Sequence, residues 1–344
     1  MGPALAGAPG RADEVIVKIL VTGATGFVGS HLLDALLAEG GLEVHALRRW
    51  SSRMSLVCHI PDVEERVRWH LGDLTDPFSV DSVVARVRPD RIFHLGAQSY
   101  VHPSWDAPDV YFRTNTLGTL YLLESLRRLG LTDTRVLLPG SGEEYGDVDE
   151  EDLPITPQTV LKPVNPYAVS KVAQDLLGYE HHRSYGLHVV RLRAFNHEGP
   201  RRDRVFALPT FAWQIARIEA GLSEPVLRVG NTEALRNWTD VRDMVRAYRM
   251  ALDHCPAGSL HLVGSDRLLT VAECLDKLLS LSPRGSEIRV ETDPERVRPT
   301  EPLRLVADTE PFRSLTGWRP EIPFEKTLAD TLTYWRERVS GEGV

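Results

Sequence analysis

The chain of 344 residues is 42% hydrophobic and 26% charged, a globular composition that excludes a collagen-like or disordered protein. Its 40 basic and 48 acidic residues give a net charge of −8, so no broad nucleic-acid-binding surface is expected. The three cysteines form no C-x-x-C pair, and no apolar run approaches the roughly 20 residues of a membrane span. We therefore expect no metal site, no disulfide framework and no membrane partner.

Buried-strand and helical patterns alternate along the first 200 residues. Apolar runs bounded by turn residues predict six strands, at 15–23, 43–48, 66–74, 91–97, 135–141 and 187–196. Segments with helical apolar spacing separate them, at 30–40, 79–90, 109–129 and 167–186. Strands and helices that alternate in this way indicate an α/β fold, a Rossmann-type doubly wound parallel sheet with helices on both faces.

The alternation of predicted strands and helices does not extend to the two ends of the chain. Residues 1–14 lack the apolar segment of a signal peptide and the Ser or Thr of a myristoylation signal, so we expect a flexible leader on a cytoplasmic protein. Residues 15–197 are predicted to form the Rossmann domain. Residues 198–344 are predicted to form a smaller, mixed region, with the chain crossing back to the first sheet.

Three glycines join the first predicted strand to the first predicted helix, in VTGATGFVG (21–29). Gly23, Gly26 and Gly29 allow the backbone to approach a pyrophosphate, which the helix N-terminus then faces. A tight turn would also need glycine, but the strand–turn–helix context favours a dinucleotide site. The predicted site takes in the residues between these glycines, namely Thr25, Phe27 and Val28.

The second predicted strand ends in LRRWSSR (47–53), which has no acidic residue. An acid at this position would bind the ribose 2′-hydroxyl of NAD, whereas arginines and serines suit the 2′-phosphate of NADP. A solvated basic loop is the alternative, but the position in the chain favours NADP bound by Arg48, Arg49, Ser51 and Ser52. Asp73 and Leu74 after the third strand suit the adenine edge, although Asp73 could equally cap a helix.

The fifth predicted strand runs into a polar loop, LLPGSGEEYG (137–146), at the sheet edge where open α/β proteins bind ligands. Farther along the chain, Tyr167 and Lys171 stand four residues apart on one helical face. A lysine ammonium near a tyrosine lowers the pKa of the phenol, which could then exchange a proton with a sugar hydroxyl. Ser141 could orient the same oxygen. A Tyr/Lys pair is common by itself, but this order of motifs is specific.

With these motifs the chain resembles, over almost its whole length, the extended short-chain dehydrogenase/reductases that act on nucleotide sugars. The two most similar branches are the GDP-mannose 4,6-dehydratases and the GDP-4-keto-6-deoxy-mannose reductases. The resemblance implies that Ser141, Tyr167 and Lys171 are catalytic, and that residues 198–344 mostly bind substrate. It also implies a cofactor and substrate set along the sheet edge and beyond, namely Leu95, Ala97, Gln98, Ser99, Asn196, His197, Arg202, Arg236, Arg298 and Glu301.

Individual motifs favour different branches. The segments RRWSS and FNHEGPRR are similar to the dehydratases, whereas GSGEEYG and NWTDVRD are similar to the reductases. Glu143 occupies the position of the glutamate that takes the C5 proton in dehydratases, and it also occurs in reductase-like loops. Gly142 stands where many dehydratases have an Asp or Ser. Glu144 is expected to point into solvent.

We expect an NADP-dependent nucleotide-sugar 4,6-dehydratase acting on GDP-mannose. Tyr167 would remove the 4-hydroxyl proton during hydride transfer, and Glu143 would take the C5 proton as water leaves C6. The alternatives are an NADPH-consuming reductase, a 4-epimerase and a non-catalytic NADP sensor. Apolar faces at 121–126 and 173–180 predict a homodimer or dimer of dimers, unless both faces only cover the sheet.

Overall fold

The structure is a computed structural model that describes residues 16–341. The expected leader, residues 1–14, lies outside the described residues. The strands, in chain order, are β1 Val17–Thr22, β2 Leu42–Arg48, β3 Arg68–Leu71, β4 Arg91–His94, β5 Arg135–Ser141, β6 Val189–Ala194, β7 His197–Glu198, β8 Val226–Val229, β9 Leu235–Asn237, β10 Thr239–Asp240, β11 Leu260–Val263, β12 Leu268–Thr270, β13 Arg289–Thr292 and β14 Arg304–Leu305.

The helices are α1 Phe27–Leu37, α2 Val63–Arg66, α3 Pro77–Val87, α4 Pro108–Tyr111, α5 Gly118–Arg128, α6 Pro166–Tyr185, α7 Ala207–Glu219, α8 Val241–His254, α9 Val271–Ser280, α10 Glu310–Thr316 and α11 Phe324–Ser340. The segment Phe112–Leu117 joins α4 to α5 with π-helical hydrogen bonding. The single helix predicted at 109–129 is therefore two helices with a π-helical segment between them. Such segments are frequent at functional sites.

The central sheet has seven strands in the order β11-β6-β5-β4-β1-β2-β3, and every neighbouring pair is parallel. This order confirms the predicted doubly wound α/β fold. The seventh strand, β11, comes from beyond residue 197, so the chain does cross back to the first sheet.

Side chains point alternately to the two faces of the sheet, which explains why helices pack on both faces. On β1, Ile19 and Val21 face a core shared with α1 and α8, while Leu20 faces a second core shared with α3 and α5. Because successive strand residues point to opposite faces, an unbroken apolar run covers both layers at once. The buried sheet fixes the carboxyl ends of its strands, where the site is built.

A separate core, away from the seven-stranded sheet, lies among the helices α7, α9 and α11. Its apolar residues include Phe211, Trp238 and Phe324, and the rings of Trp238 and Phe324 stack 5.6 Å apart. Two short sheets border it, one of β8 and β13 and one of β9, β12 and β14. The segment between β13 and β14 carries Arg298 and Glu301 back toward the first sheet.

Three findings concern the cysteines, possible metal ligands and helix lengths of residues 16–341. Within this range no group of His, Cys, Asp and Glu side chains could hold a metal ion. Cys58, Cys255 and Cys274 are free thiols. No helix in the described part of the chain has the length and hydropathy of a membrane span.

Candidate active site

A cavity of about 580 Å³ opens at the carboxyl ends of β1, β4, β5 and β6. This size is typical of a small-molecule site, and parallel sheets bind ligands at this edge. Most of the predicted site residues line it, namely Gly23, Thr25, Gly26, Phe27, Val28, Gly29, Arg49, Ser52, Asp73, Leu74, Leu95, Ala97, Gln98, Ser99, Ser141, Glu143, Tyr167, Asn196, His197, Arg202 and Arg298.

The glycine turn forms a cradle with no room for side chains. A Cβ on Gly23 would lie 2.7 Å from the backbone nitrogen of Gly96, and one on Gly29 would lie 2.2 Å from the carbonyl oxygen of Gly23. Gly23 also has a φ of 70°, which favours glycine. No side chain caps the N-terminus of α1. Its free amides and helix dipole are therefore available to a phosphate.

The two predicted 2′-phosphate arginines have different surroundings. Arg49 lines the cavity together with Ser52, and an adjoining recess is lined by Arg49, Trp50 and Ser51. Arg48 lies outside both, because its guanidinium pairs with Glu64 at 3.2 Å and stacks over the Trp69 ring at 5.3 Å. Of the two arginines, only Arg49 therefore faces the cavity in this structure.

Asp73 and Leu74, the residues predicted to border the adenine, precede the start of α3. Asp76, and not Asp73, caps that helix by accepting hydrogen bonds from the amides of Phe78 and Ser79. Asp73 instead accepts from the amide and hydroxyl of Thr75 and lines the cavity. The alternative role of Asp73 as a helix cap is therefore excluded.

A buried asparagine that the sequence analysis missed anchors the loop after β4. Asn115 Oδ1 accepts from the amide of Gln98 at 2.8 Å, and its Nδ2 donates to the carbonyl of Gln98 and to Ser170 Oγ. Asn115 lies in the π-helical segment, which brings this side chain to the loop. The contacts hold Gln98 and Ser99 at the cavity wall. The sequence signal for this role was Asn115 itself, a polar residue inside the apolar pattern of the helix predicted at 109–129.

Tyr167 and Ser141 meet at the cavity wall. Tyr167 is buried, and its side chain and that of Ser141 both line the cavity. Burial raises the pKa of Tyr167, and the nearby Ser141 side chain and the charge of Arg202 only partly oppose this effect. In this structure, burial therefore outweighs the lowering that the Tyr/Lys spacing predicts.

Lys171 lies beneath the cavity wall rather than on it. Its ammonium donates to the carbonyl of Pro139 at 2.6 Å and to Gln174 Oε1 at 2.7 Å. Both acceptors are neutral and the side chain is buried, so burial lowers the pKa of Lys171 to about 8. Lys171 thus holds the end of β5, which carries Ser141.

Glu143 follows Ser141 on a short 3-10 turn, Gly142–Tyr145, and lines the cavity. Its carboxylate accepts from Asn165 Nδ2 at 3.2 Å and lies 3.6 Å from Arg298 Nη1. Arg298 is 3.6 Å from Glu301 as well. Glu301 is not among the residues that line the cavity, and its expected contact with substrate stays a prediction.

The expectation that Glu144 points into solvent is wrong. Glu144 has no exposed surface, and its carboxylate accepts from the Ser141 amide at 2.7 Å and from Arg193 Nε at 2.9 Å. The 3-10 turn brings residue 144 back over the strand end, beside Arg193 of the neighbouring strand β6. A Cβ on Gly140 would lie 2.2 Å from the Glu144 carboxylate, so the glycine leaves space for it.

Aromatic rings and one arginine close the cavity near α1. The guanidinium of Arg202 lies 5.2 Å from the Phe27 ring and 4.0 Å from the Phe206 ring, and donates to the carbonyl of His197. The His197 ring stacks on Phe27, and its Nδ1 is 3.0 Å from the carbonyl of Phe195. Burial and the Arg202 charge lower the pKa of His197 to about 4, so its imidazole is neutral at pH 7.

Arg236 and Asn196 were both predicted to contact substrate. Asn196 lines the cavity. Arg236 is buried away from the cavity, where it donates to the carbonyls of Leu235, Pro302 and Leu303. In this structure it therefore supports the segment that carries Arg298 and Glu301.

Comparison with known proteins points to one enzyme family. The family model described as GDP-mannose 4,6 dehydratase matches residues 20–331. The GDP-6-deoxy-D-mannose reductase of Pseudomonas aeruginosa is 33% identical over 325 residues, covering 94% of this chain and 99% of the relative. The GDP-mannose 4,6-dehydratase of Yersinia enterocolitica is 33% identical over 347 residues, covering 91% and 92%.

A solved structure agrees with these sequence matches. RMD from Pseudomonas aeruginosa, complexed with NADPH, superposes with a TM-score of 0.77 at 31% identity, covering 94% of this chain and 99% of the other. The shared fold extends across both the seven-stranded sheet and the smaller region.

Proposed function

The chain belongs to the GDP-mannose 4,6-dehydratase family of extended short-chain dehydrogenase/reductases, and from this premise we propose that it is an NADP-dependent GDP-mannose 4,6-dehydratase. The product would be GDP-4-keto-6-deoxy-mannose. The observation that carries the proposal is the Glu143 carboxylate on the same cavity wall as Ser141 and Tyr167. A carboxylate there supplies the base that an elimination needs.

The cavity fits NADP. The glycine cradle and the uncapped start of α1 suit a pyrophosphate, and Arg49 with Ser52 suits a 2′-phosphate. The loop held by Asn115 borders the place for the nicotinamide, with Gln98 and Ser99 on the wall. Once bound, NADP would accept a hydride from C4 of the sugar and return one to C6.

Tyr167 would take the proton from the 4-hydroxyl as a phenolate at the cavity wall, with Ser141 beside it and with the charge of the buried Lys171 favouring the phenolate. The 4-keto group then makes the C5 proton acidic. Glu143 would remove that proton and return it to the hydroxyl that leaves C6 as water, and the proton held by Tyr167 would pass to C5 once C6 has received a hydride. Gly142 offers no side chain for this second role, so one carboxylate serves as base and then as acid.

The diphosphate of the substrate would bind Arg298, whose guanidinium can present two parallel N–H groups to phosphate oxygens. Residues 198–344 would supply most of the nucleotide contacts. The GDP-linked substrates named for the relatives from Pseudomonas aeruginosa and Yersinia enterocolitica support a GDP-linked sugar.

The runner-up function is an NADPH-consuming reductase of the 4-keto-6-deoxy product. The matched reductase and the missing acid at Gly142 favour it. A nucleotide-sugar 4-epimerase is the third candidate function. A non-catalytic NADP sensor comes last, because a sensor does not need Ser141 and Tyr167 joined on the cavity wall.

We further propose a homodimer, or a dimer of dimers, assembled on α6. Val169, Leu176 and Tyr179 project from one side of this helix and are 39%, 53% and 46% exposed. Within α5, Leu122, Leu123 and Leu126 are buried against the sheet and do not add to this surface. Solvent-facing apolar residues at helical spacing are typical of helix pairing between subunits.

The test is incubation of the purified protein with GDP-mannose and catalytic NADP, without added reductant. A product lighter than the substrate by one water supports the dehydratase. Stoichiometric NADPH oxidation by a 4-keto-6-deoxy sugar nucleotide, with no dehydration of any hexose, would show that the protein is the reductase.

A further inference from the structure

The buried Glu144 has no role in the proposed reaction, although it lies against the catalytic loop. Its two carboxylate oxygens have separate partners, since Oε1 accepts from the Ser141 amide and Oε2 accepts from Arg193 Nε. Arg193 also donates to Asp175 at 2.6 Å and to the hydroxyl of Tyr145 at 2.8 Å. Glu144 therefore links the catalytic strand end to a buried network of charges.

The strand end is held from two directions by buried side chains. Strand β5 pairs with β4 only as far as Leu137. Beyond it, the carbonyl of Pro139 accepts from Lys171 and the amide of Ser141 donates to Glu144. Lys171 and Glu144 thus hold the two ends of the same three-residue stretch, Pro139 to Ser141.

Lys171 has no carboxylate within hydrogen-bond reach, since its contacts are Pro139 and Gln174. A buried ammonium with neutral acceptors is easily deprotonated, because desolvation disfavours the charged form. The charges that favour it are those of Glu144 first and Asp175 second. Both carboxylates are held in place by Arg193.

The other charged and titratable groups around this network come from several elements. His94 on β4 is held neutral, because burial and the Lys171 charge lower its pKa to about 3. Burial and Asp175 raise the pKa of Glu144 to about 7. The neighbouring groups among the described residues include His94 on β4, Glu144 and Tyr145 after β5, Tyr167 and Asp175 on α6, and Arg191 and Arg193 on β6, with Glu143 and Arg202 acting on Tyr167.

We propose that Glu144 is a positioning residue that fixes the Ser141 backbone and, by its charge, keeps the catalytic Lys171 protonated in the buried site. This inference rests on the proposed function insofar as Lys171 assists Tyr167. A purely structural Glu144 would stabilise the turn without affecting the protonation of Lys171.

Lysine NMR separates these two roles without any turnover. The chain has five lysines, at positions 18, 162, 171, 277 and 326, so lysine side-chain carbon signals can be assigned by single replacements. In Glu144→Gln, which keeps the shape but removes the charge, the Lys171 titration midpoint should fall by roughly half to one pH unit. An unchanged midpoint in the folded variant would overturn the proposal.

Two variants serve as matched controls. Asp175→Asn removes the other carboxylate on Arg193 but leaves the Ser141 amide bound, so it should lower the Lys171 midpoint while slowing the reaction less than Glu144→Gln. Glu150→Gln changes an exposed carboxylate and should leave the midpoint unchanged. A loss of thermal stability in Glu144→Gln with equal slowing at every pH would show that the role is structural only.

The parent protein gives a second measurement in case Glu144→Gln does not fold. The Lys171 signal should respond twice, at its own ionisation and again near pH 7, where Glu144 takes up a proton. A Lys171 signal that titrates in a single step would refute the coupling between Lys171 and Glu144. A parent that fails to dehydrate GDP-mannose would contradict the proposed function, whereas the NMR midpoint still decides the role of Glu144.

Discussion

Arg298 and Glu143 meet at the cavity, with Arg298 Nη1 3.6 Å from the Glu143 carboxylate. Arg298 lies in the smaller region of the chain, and Glu143 lies in the loop that follows β5 of the seven-stranded sheet. The contact therefore joins the two parts of the molecule. An arginine that binds the substrate diphosphate would therefore stand beside the proposed base. Phosphate and carboxylate compete for the same guanidinium, so substrate binding and the state of Glu143 are linked through Arg298.

Replacing Arg298 with Met should weaken substrate binding while the fold is retained. Losing one charge-assisted hydrogen bond to the diphosphate costs about 1.5–3 kcal/mol, so KM for GDP-mannose should rise roughly tenfold to a hundredfold. Steady-state kinetics measure the effect. Arg304→Met, which removes an exposed arginine paired with Glu150, should leave KM unchanged. Equal KM values for Arg298→Met and the parent would contradict the assigned role.

Replacing Glu143 with Gln should separate oxidation from dehydration. The amide keeps the shape but cannot take the C5 proton, so dehydration should fall at least a hundredfold, within the range of about 10²–10⁴ for general acid–base catalysis. Oxidation at C4 relies on Tyr167 and Ser141 and should continue. Absorbance of the reduced nicotinamide should therefore rise when substrate is added. If Glu143→Gln loses only a little activity and accumulates no reduced nicotinamide, the protein is instead the reductase.

The parent should bind NADP(H) more tightly than NAD(H), and Arg49→Ala should narrow that difference. Arg49 lines the cavity, whereas Arg48 pairs with Glu64, so Arg48→Ala is the matched control. One charged hydrogen bond of about 1.5–3 kcal/mol predicts at least a several-fold loss of NADP affinity in Arg49→Ala. Calorimetric titration with both cofactors tests this. Equal affinities in the parent would contradict the NADP assignment.

In solution the protein should have at least twice the chain mass of 38.5 kDa. Leu176→Glu places a charge in the exposed apolar face of α6 and should yield monomers, since a buried unpaired charge disfavours association. Light scattering at micromolar concentration gives the mass. Leu315→Glu changes another exposed leucine, on α10, and should leave the assembly intact. A parent mass of 38.5 kDa would refute the dimer.

The protein should lose stability on acidification, in part through His94. This buried ring bonds Thr22 and Thr119, and burial lowers its pKa from 6.5 to about 3. His94 therefore takes up a proton at higher pH in the unfolded state than in the folded state. Its contribution to the free energy of unfolding is fully present above pH 6.5 and is lost as the pH falls toward 3. The loss is about 1.4 kcal/mol per pH unit within that window.

His94→Gln should reduce the slope of Tm against pH between about 6.5 and 4 by the equivalent of one proton. His59→Gln alters an exposed histidine and should preserve the slope. His31 and His197, whose pKa values burial lowers to about 4, should sustain a residual slope in both variants. Parallel curves for the parent and His94→Gln would contradict this account.

Much of the fold could be predicted from the sequence because its signals are local. Apolar runs such as that around Val21 predict buried strands, and glycine turns such as that at Gly23 indicate where a strand meets a helix. The family motifs around Tyr167 depend on spacing along one helix. Each of these features is set by neighbours within a few residues, which the sequence shows directly.

The tertiary structure decided what depends on contacts between distant segments. Arg48 and Arg49 are adjacent in sequence, yet only Arg49 lines the cavity, because Glu64 and Trp69 hold Arg48 elsewhere. The sequence predicts a solvated charge at Glu144, whereas the fold buries Glu144 and places Arg193 of β6 beside it. The burial and pairing of a charged side chain depend on its neighbours in space, and sequence proximity does not reveal them.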